Sequence, residues 1–211
     1  LSVGVDYEGE ETFALVEKIR NTAAKYYGNN YYLAGQGVST YDLMDTITDD
    51  MVKVNLVAIA AVLIVLILTM RQIKTPIVLV LAIETAIWIN LSIPYLQNTP
   101  LFYIAYLIIS SVQLGATVDY AILFSDRYRE CRREMDKKES IIATISQTSV
   151  SILTSGITMI AVGFLLGIIS THGLLSQLGY LLGKGTICSV LTVFFVLPGL
   201  LYLTDRKKTS F

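Results

Sequence analysis

From residue 54 onward the chain alternates between long apolar runs and short polar breaks, a pattern typical of a polytopic membrane protein. Five runs reach at least the roughly 17 residues with which a helix can cross the hydrocarbon core of a bilayer. We expect membrane spans at about 54–70, 77–95, 101–124, 149–169 and 174–203. Composition agrees, because 54% of the 211 residues are hydrophobic and only 16% are charged.

The first 50 residues are more polar and predict a separate domain. Alternation over 1–7 and an apolar stretch at 31–34 predict two short strands, with a helix over 9–27 between them. A β-α-β unit this small could not bury an adequate core alone, so we expect it to end a larger α/β domain. The predicted division is therefore 1–50 for that domain and 51–208 for the membrane domain.

A further helix is predicted to connect the two domains. It would begin at Ser39 or Thr40, either of which can cap a helix, after a turn at 35–37. Asp42 in its first turn suits the positive end of the helix dipole. Nothing in the sequence breaks the helix before Arg71, so we expect it to continue through Asp50 into the first span.

Basic residues occur in alternate connections between the spans. They are Arg71, Lys74, Arg127, Arg129, Arg132, Arg133, Lys137, Lys138, Arg206, Lys207 and Lys208. The connections at 96–100 and 170–173 carry none. The positive-inside rule then predicts an extracytoplasmic 1–50 region and a cytoplasmic C-terminus. The mixed-charge stretch 126–146 is predicted to be an amphipathic connector along the membrane face.

Asp119 lies within the third apolar run. A carboxylate at the centre of a membrane helix costs roughly 2.5–3.5 kcal/mol on insertion scales, so its default interpretation is functional. Gly115, one turn earlier on the same face, predicts close packing of a neighbouring helix. Tyr120 places a phenol beside the acid.

Small hydroxyl residues recur along the fourth run at three- and four-residue spacing. They are Thr148, Ser151, Ser155 and Thr158, with Thr154 beside them. Counting helix rise from the cytoplasmic ends of the antiparallel third and fourth spans places Thr154 and Ser155 at the depth of Asp119. They could hydrogen-bond the carboxylate. Alternatively, these residues are ordinary interface residues that bond to their own helix carbonyls.

Glu84 and Lys184 are the other ionisable residues inside predicted spans. They could form a structural ion pair or join a charge relay with Asp119, and both options stay open here. No Walker motif or nucleophile–base pair is present, and His172 is the only histidine. We therefore expect a protein that is not an enzyme, with no cofactor, no metal site and no nucleic-acid partner.

The segment from Gly115 through Asp119 and Tyr120 to Arg127 and Tyr128 resembles a helix signature of the resistance-nodulation-division (RND) superfamily, closest to its MMPL branch. The hydroxyl stripe, the ending at 196–205 and the Gly-Gln-Gly turn before a long helix are also similar to that family. The resemblance covers nearly all of the chain.

The resemblance implies twelve spans in two repeats, each with an extracytoplasmic, ferredoxin-like porter domain. This chain would correspond to the end of the second porter domain and helices eight to twelve of such a protein. It starts at Leu1 without signal-peptide features, which also leads us to expect part of a longer chain. Expected partners are the N-terminal repeat, membrane lipids, protons and a hydrophobic or lipid substrate; oligomerisation is left open.

In family members, Asp-Tyr pairs form a proton relay that drives export of lipids, drugs or other hydrophobic compounds. By resemblance, Asp119 and Tyr120 are half of that relay, supported by the hydroxyls of Thr154, Ser155 and Ser151. The expected location is a bacterial cell membrane. Alternatives with the same architecture are a sterol-sensing-type lipid sensor, an auxiliary factor for protein translocation, and a folded but inactive half.

Overall fold

The computed structural model describes residues 9–97, 99, 101 and 103–205. Their elements are α1 (Glu10–Tyr27), α2 (Gln36–Met70), α3 (Lys74–Leu96), α4 (Tyr103–Glu134), α5 (Lys137–Ile169), α6 (Gly173–Leu191), a π-helical turn (Thr192–Val196) and α7 (Leu197–Thr204). Among the described residues, five helical stretches are long and apolar enough to cross a membrane, and each overlaps one of the five predicted spans. The protein is therefore a mainly α-helical, multi-pass membrane protein, as predicted.

The chain divides into two compact units after Val54. In the first unit, Phe13 of α1 packs against Tyr41 of α2 with ring centroids 5.6 Å apart. Arg20 forms an ion pair with Asp42 and lies 5.5 Å from the Tyr41 ring centroid.

The two predicted strands have different outcomes. Residues 30–34 form an irregular connection between α1 and α2, so the strand predicted at 31–34 is wrong. An isolated strand leaves its backbone groups unpaired, and no described segment offers a partner. The strand predicted at 1–7 lies outside the described residues.

Helix α2 is one continuous helix of 35 residues, as predicted. It begins at Gln36, earlier than the predicted cap at Ser39 or Thr40. The backbone N–H of Ser39 donates to the Gly35 carbonyl at 2.9 Å, so the first turn forms directly after Gly35. The helix ends where Arg71 adopts a left-handed backbone with φ of 51°.

Helices α5 and α6 form a tight antiparallel hairpin through glycines. Gly163 and Gly167 on α5 face Gly179 and Gly183 on α6, in two Gly-x-x-x-Gly repeats. A Cβ atom added at Gly163 would lie 2.6 Å from the Gly183 backbone nitrogen. Lipid is as apolar as a leucine side chain, so close backbone approach and dispersion hold such helices together.

A second packing region joins α2, α3, α4, α5 and the end of the fifth span. Leu79, Phe124, Ile152 and Leu197 are fully buried within it. The π-helical turn lies within this region, where Val193 is buried, and the Leu197 N–H donates to the Thr192 carbonyl five residues earlier. Pro198 has no N–H, and in an α-helix its ring would clash with the carbonyl four residues earlier. The wider turn before Pro198 relieves that clash.

The predicted connector at 126–146 is not a separate segment. Helix α4 continues to Glu134 and α5 starts at Lys137, so these residues are the ends of two long helices. The interpretation from charge alone was wrong because these residues continue the two span helices, with Tyr128 of α4 and Ser140 and Thr144 of α5 buried.

An ionic cluster around Asp205 joins the end of α4 and the start of α5 to the residue that follows α7. The Asp205 carboxylate accepts hydrogen bonds from Arg132 Nε at 2.6 Å and Tyr128 Oη at 3.0 Å. Lys137 donates to the backbone carbonyl of Asp205. Burial alone would raise the pKa of the Asp205 carboxyl group. The hydrogen bonds from Arg132 and Tyr128 and the nearby positive charges outweigh burial and hold that pKa below its usual value.

Candidate functional site

Asp119 lies on the exposed face of α4, within the third span. Among the described residues it has no hydrogen-bond or ion-pair partner, so nothing in this part of the protein compensates its charge. Gly115 is also exposed, and no heavy atom lies within 4 Å of an added Cβ there. The predicted close packing at Gly115 is therefore not present in the described structure. Close helix approach occurs at the α5–α6 hairpin instead.

Tyr120 points the other way. Its side chain is only 6% exposed, and its hydroxyl lies 3.4 Å from the Ser155 hydroxyl on α5. Ser155 therefore lies level with the Asp119–Tyr120 pair, as the count of helix rise predicted. Its hydroxyl contacts Tyr120 rather than Asp119. Consecutive helical residues differ by about 100° in direction, so the Asp-Tyr pair divides between an open face and a packed one.

The other hydroxyls behave differently from Ser155. Thr158 donates to the Thr154 carbonyl at 2.8 Å, the bonding to the helix's own backbone that was the alternative interpretation. Ser151 and Thr154 are exposed. Of the predicted stripe only Thr148 is buried, on a face of α5 that also carries Ser140 and Thr144.

Glu84 and Lys184 are not joined as an ion pair in the described structure. Trp88 Nε1 donates to one Glu84 carboxylate oxygen at 3.2 Å, and the other oxygen is buried with no partner among the described residues. Lys184 Nζ lies 3.5 Å from Gln97 Oε1. Each residue therefore has a neutral hydrogen-bonding partner.

A buried amide network joins three helices, and the sequence interpretation missed it. Asn90 Nδ2 on α3 donates to Gln113 Oε1 on α4 at 2.8 Å and to the Leu181 carbonyl on α6 at 3.0 Å. Gln113 Nε2 donates to the Gly185 carbonyl at 3.2 Å and to Ser189 Oγ at 3.3 Å. The sequence signal for this network was an amide side chain, Asn90 and Gln113, within each of two otherwise apolar spans.

The network fixes the rotation of α4 about its axis. Gln113 is 1% exposed, and an added Cβ at Gly185 would lie 2.6 Å from Asn90 Nδ2, so the amides fill the space that glycine leaves. Six helical positions separate Gln113 from Asp119, which is about 120° around the axis. Holding Gln113 inside therefore keeps Asp119 on the open face.

A protein-family model and several known proteins match this chain. A family model described as the MMPL family matches residues 2–211. The chain is 29% identical over 203 residues to SCO0839 of Streptomyces coelicolor, described as a membrane protein, covering 94% of this chain and 29% of that protein. It is 28% identical over 159 residues to ActII-3 of the same organism, also described as a membrane protein (73% and 22%).

A third relative is named for transport. The chain is 26% identical over 103 residues to MmpL12 of Mycobacterium tuberculosis, described as a transport protein, covering 49% of this chain and 9% of that protein. The chain thus spans less than a third of the length of each of these relatives.

Proposed function

The chain belongs to the MMPL family, and from that membership we propose that it forms the second-repeat membrane portion of a proton-driven exporter. The cargo class would be lipids, drugs or other hydrophobic compounds. In this proposal residues 1–50 end an extracytoplasmic porter domain and residues 51–208 are the membrane domain. The basic connections would face the cytoplasm, as the charge distribution favours.

The single observation that carries the proposal is the position of Asp119. It is exposed, lies inside a span, and has no partner among the residues that the structure describes. An ionised carboxylate facing lipid would be costly, so such residues face a protein interior or a water-filled cavity. We therefore propose that this face of α4 meets the N-terminal repeat, which would supply the partner of Asp119.

Proton coupling follows from the same position. The ionised carboxylate requires a cation or hydrogen-bond donors, whereas the protonated carboxyl group does not. Taking up and releasing one proton would therefore change how strongly the face of α4 is held against the other repeat. Tyr120, bonded to Ser155 on α5, would transmit that change to the α5–α6 hairpin.

Helix α2 would carry the change outward. It is continuous from the first unit into the first span, and in this proposal a tilt or shift at its membrane end would move its other end. Arg129 on α4 donates to the Met70 carbonyl at the C-terminus of α2, at 3.4 Å. That contact links α2 directly to the helix that bears Asp119.

The test is proton-dependent export by the full-length protein in proteoliposomes with an imposed pH gradient. Asp119→Asn should reduce export to background, because the amide cannot cycle a proton. Asp119→Glu should retain part of the activity. Glu134→Gln, which replaces an exposed acid at the C-terminal end of α4, is the matched control and should export normally. Undiminished gradient-dependent export by Asp119→Asn would rule out the proposed role.

The same assay separates the alternatives. A sterol-sensing-type sensor would bind lipid saturably and keep its function when the gradient collapses. A translocation factor would move no lipid or drug in proteoliposomes and would depend on the translocation machinery.

A further inference from the structure

A pocket of about 290 Å³ lies where the end of α3 and the connection that precedes α4 meet the first turns of α6. Pro94, Leu101 and Leu181 provide apolar walls, while Lys184 and Gln97 supply polar groups. This is the end of the bundle that carries the connections without basic residues. We propose that the pocket binds the headgroup of an anionic phospholipid. This proposal does not depend on proton-driven export.

Charge is the first argument. The ammonium group of Lys184 is partly buried, and its polar partner is the neutral Gln97 amide oxygen, 3.5 Å away. None of the described residues that line the pocket is acidic, and Lys184 makes no ion pair within the described part of the chain. A cation within a membrane span is costly unless an anion compensates it. A phosphate group in the pocket would provide that anion through charge-assisted hydrogen bonds.

Depth is the second argument. Lys184 is eleven residues from the first residue of α6, about 16 Å along the helix axis. Helical side chains lean toward the N-terminus, and lysine extends its ammonium toward the membrane surface. The contact with Gln97, which follows the last residue of α3, shows that Lys184 extends in this direction. The ammonium thus lies near the bundle end, where lipid phosphates are found.

The pocket is also held in shape before any ligand binds. Asn90 fixes the Leu181 carbonyl through a hydrogen bond of 3.0 Å. The Ser176 hydroxyl donates to the Gly167 carbonyl at 2.7 Å, and the Thr99 hydroxyl donates to the Pro94 carbonyl at 3.3 Å. A preformed site spares the ligand the cost of ordering side chains on binding.

Size limits what could bind. Typical small-molecule pockets measure about 300–1,000 Å³, so this pocket is at the lower limit. It suits a phosphate with its glycerol, while the acyl chains remain in the bilayer. The apolar walls fit the transition from headgroup to chain, which favours a lipid over a soluble phosphate.

The test is native mass spectrometry of the full-length protein in detergent, titrated with phosphatidylglycerol or phosphatidylcholine. The wild type should prefer phosphatidylglycerol. Lys184→Met keeps the side-chain length without the charge and should weaken phosphatidylglycerol binding about tenfold, as expected for one lost charge-assisted hydrogen bond. Lys184→Arg should retain it. Lys138→Met, an exposed lysine at the start of α5, is the control and should bind normally.

A second variant keeps the proposal testable if Lys184→Met does not fold. Gln97→Glu places a carboxylate beside the ammonium at an exposed position, so it should neutralise Lys184 and weaken phosphatidylglycerol binding about tenfold without lowering the melting temperature. Unchanged affinity in either variant, or an equal loss in Lys138→Met, would overturn the proposal. Competition by inorganic phosphate at concentrations equal to those of the lipid would identify a site for a soluble anion instead.

Discussion

The buried amide network provides a sharp quantitative prediction. Asn90 and Gln113 are both inaccessible to solvent and bonded to each other at 2.8 Å, so changing one leaves the other with an unsatisfied buried group. An unsatisfied buried donor or acceptor costs about 1–3 kcal/mol. We expect Asn90→Leu and Gln113→Met each to lower the free energy of unfolding by about that amount.

The double variant should be less damaging than the sum of the two single variants. The carbonyls of Leu181 and Gly185 lie within α6 and keep their helical hydrogen bonds when the amides are removed. With both amides replaced by apolar side chains, no amide remains unsatisfied. The double variant should therefore lose about 1–3 kcal/mol, against about 2–6 kcal/mol for the two single losses added together.

Thermal unfolding in detergent measures this coupling when the wild type, the two single variants and the double variant of the full-length protein are compared as a double-mutant cycle. Gln36→Met replaces an exposed glutamine at the start of α2 and should change stability by less than about 0.5 kcal/mol. Strictly additive losses in the cycle would refute the reasoning, because they would show that the two amides do not depend on each other.

Three further predictions concern other contacts. Tyr120→Phe removes the hydroxyl contact with Ser155 and should cost less than about 1 kcal/mol of stability while slowing gradient-driven export; an unchanged export rate would exclude a role for the hydroxyl. Gly179→Ala should lower thermal stability by about 1–3 kcal/mol, because the new methyl group meets the α5 backbone. The control Gly199→Ala has free space for the methyl group and should be neutral or stabilising. Equal melting temperatures of the two variants would contradict this prediction. Asp205 has a lowered folded-state pKa, so its contribution to stability is present above about pH 4 and is lost as the pH falls further. Asp205→Asn should therefore show a shallower loss of stability below pH 4 than the wild type; parallel acid-unfolding curves would argue against the cluster.

Several features were predictable because they depend on local sequence. The five spans follow from the length and hydropathy of each run, and the continuity of α2 follows from the lack of a breaker before Arg71. The helix over 9–27 is confirmed as α1 for the same reason. Each of these requires only that a segment satisfy its own backbone hydrogen bonds.

Contacts between helices were predicted less well. Gly115 was expected at a close helix contact, but it is exposed, while Gly163 and Gly179 form the contact. Glu84 and Lys184 were candidate partners, yet each bonds a neutral neighbour. No contact was predicted for the Asn90 amide, although it holds three helices together.

The sequence by itself determined how many times the chain can cross a membrane and placed a carboxylate, Asp119, inside one crossing. The bilayer makes that information local, since a span must be apolar over its own length. Only the tertiary structure decided which face of each helix is packed. In a membrane helix the lipid-facing and protein-facing sides are both apolar, so hydropathy does not distinguish them. Placing Gln113 inside and Asp119 outside therefore depended on residues far away in the chain, Asn90 and Gly185.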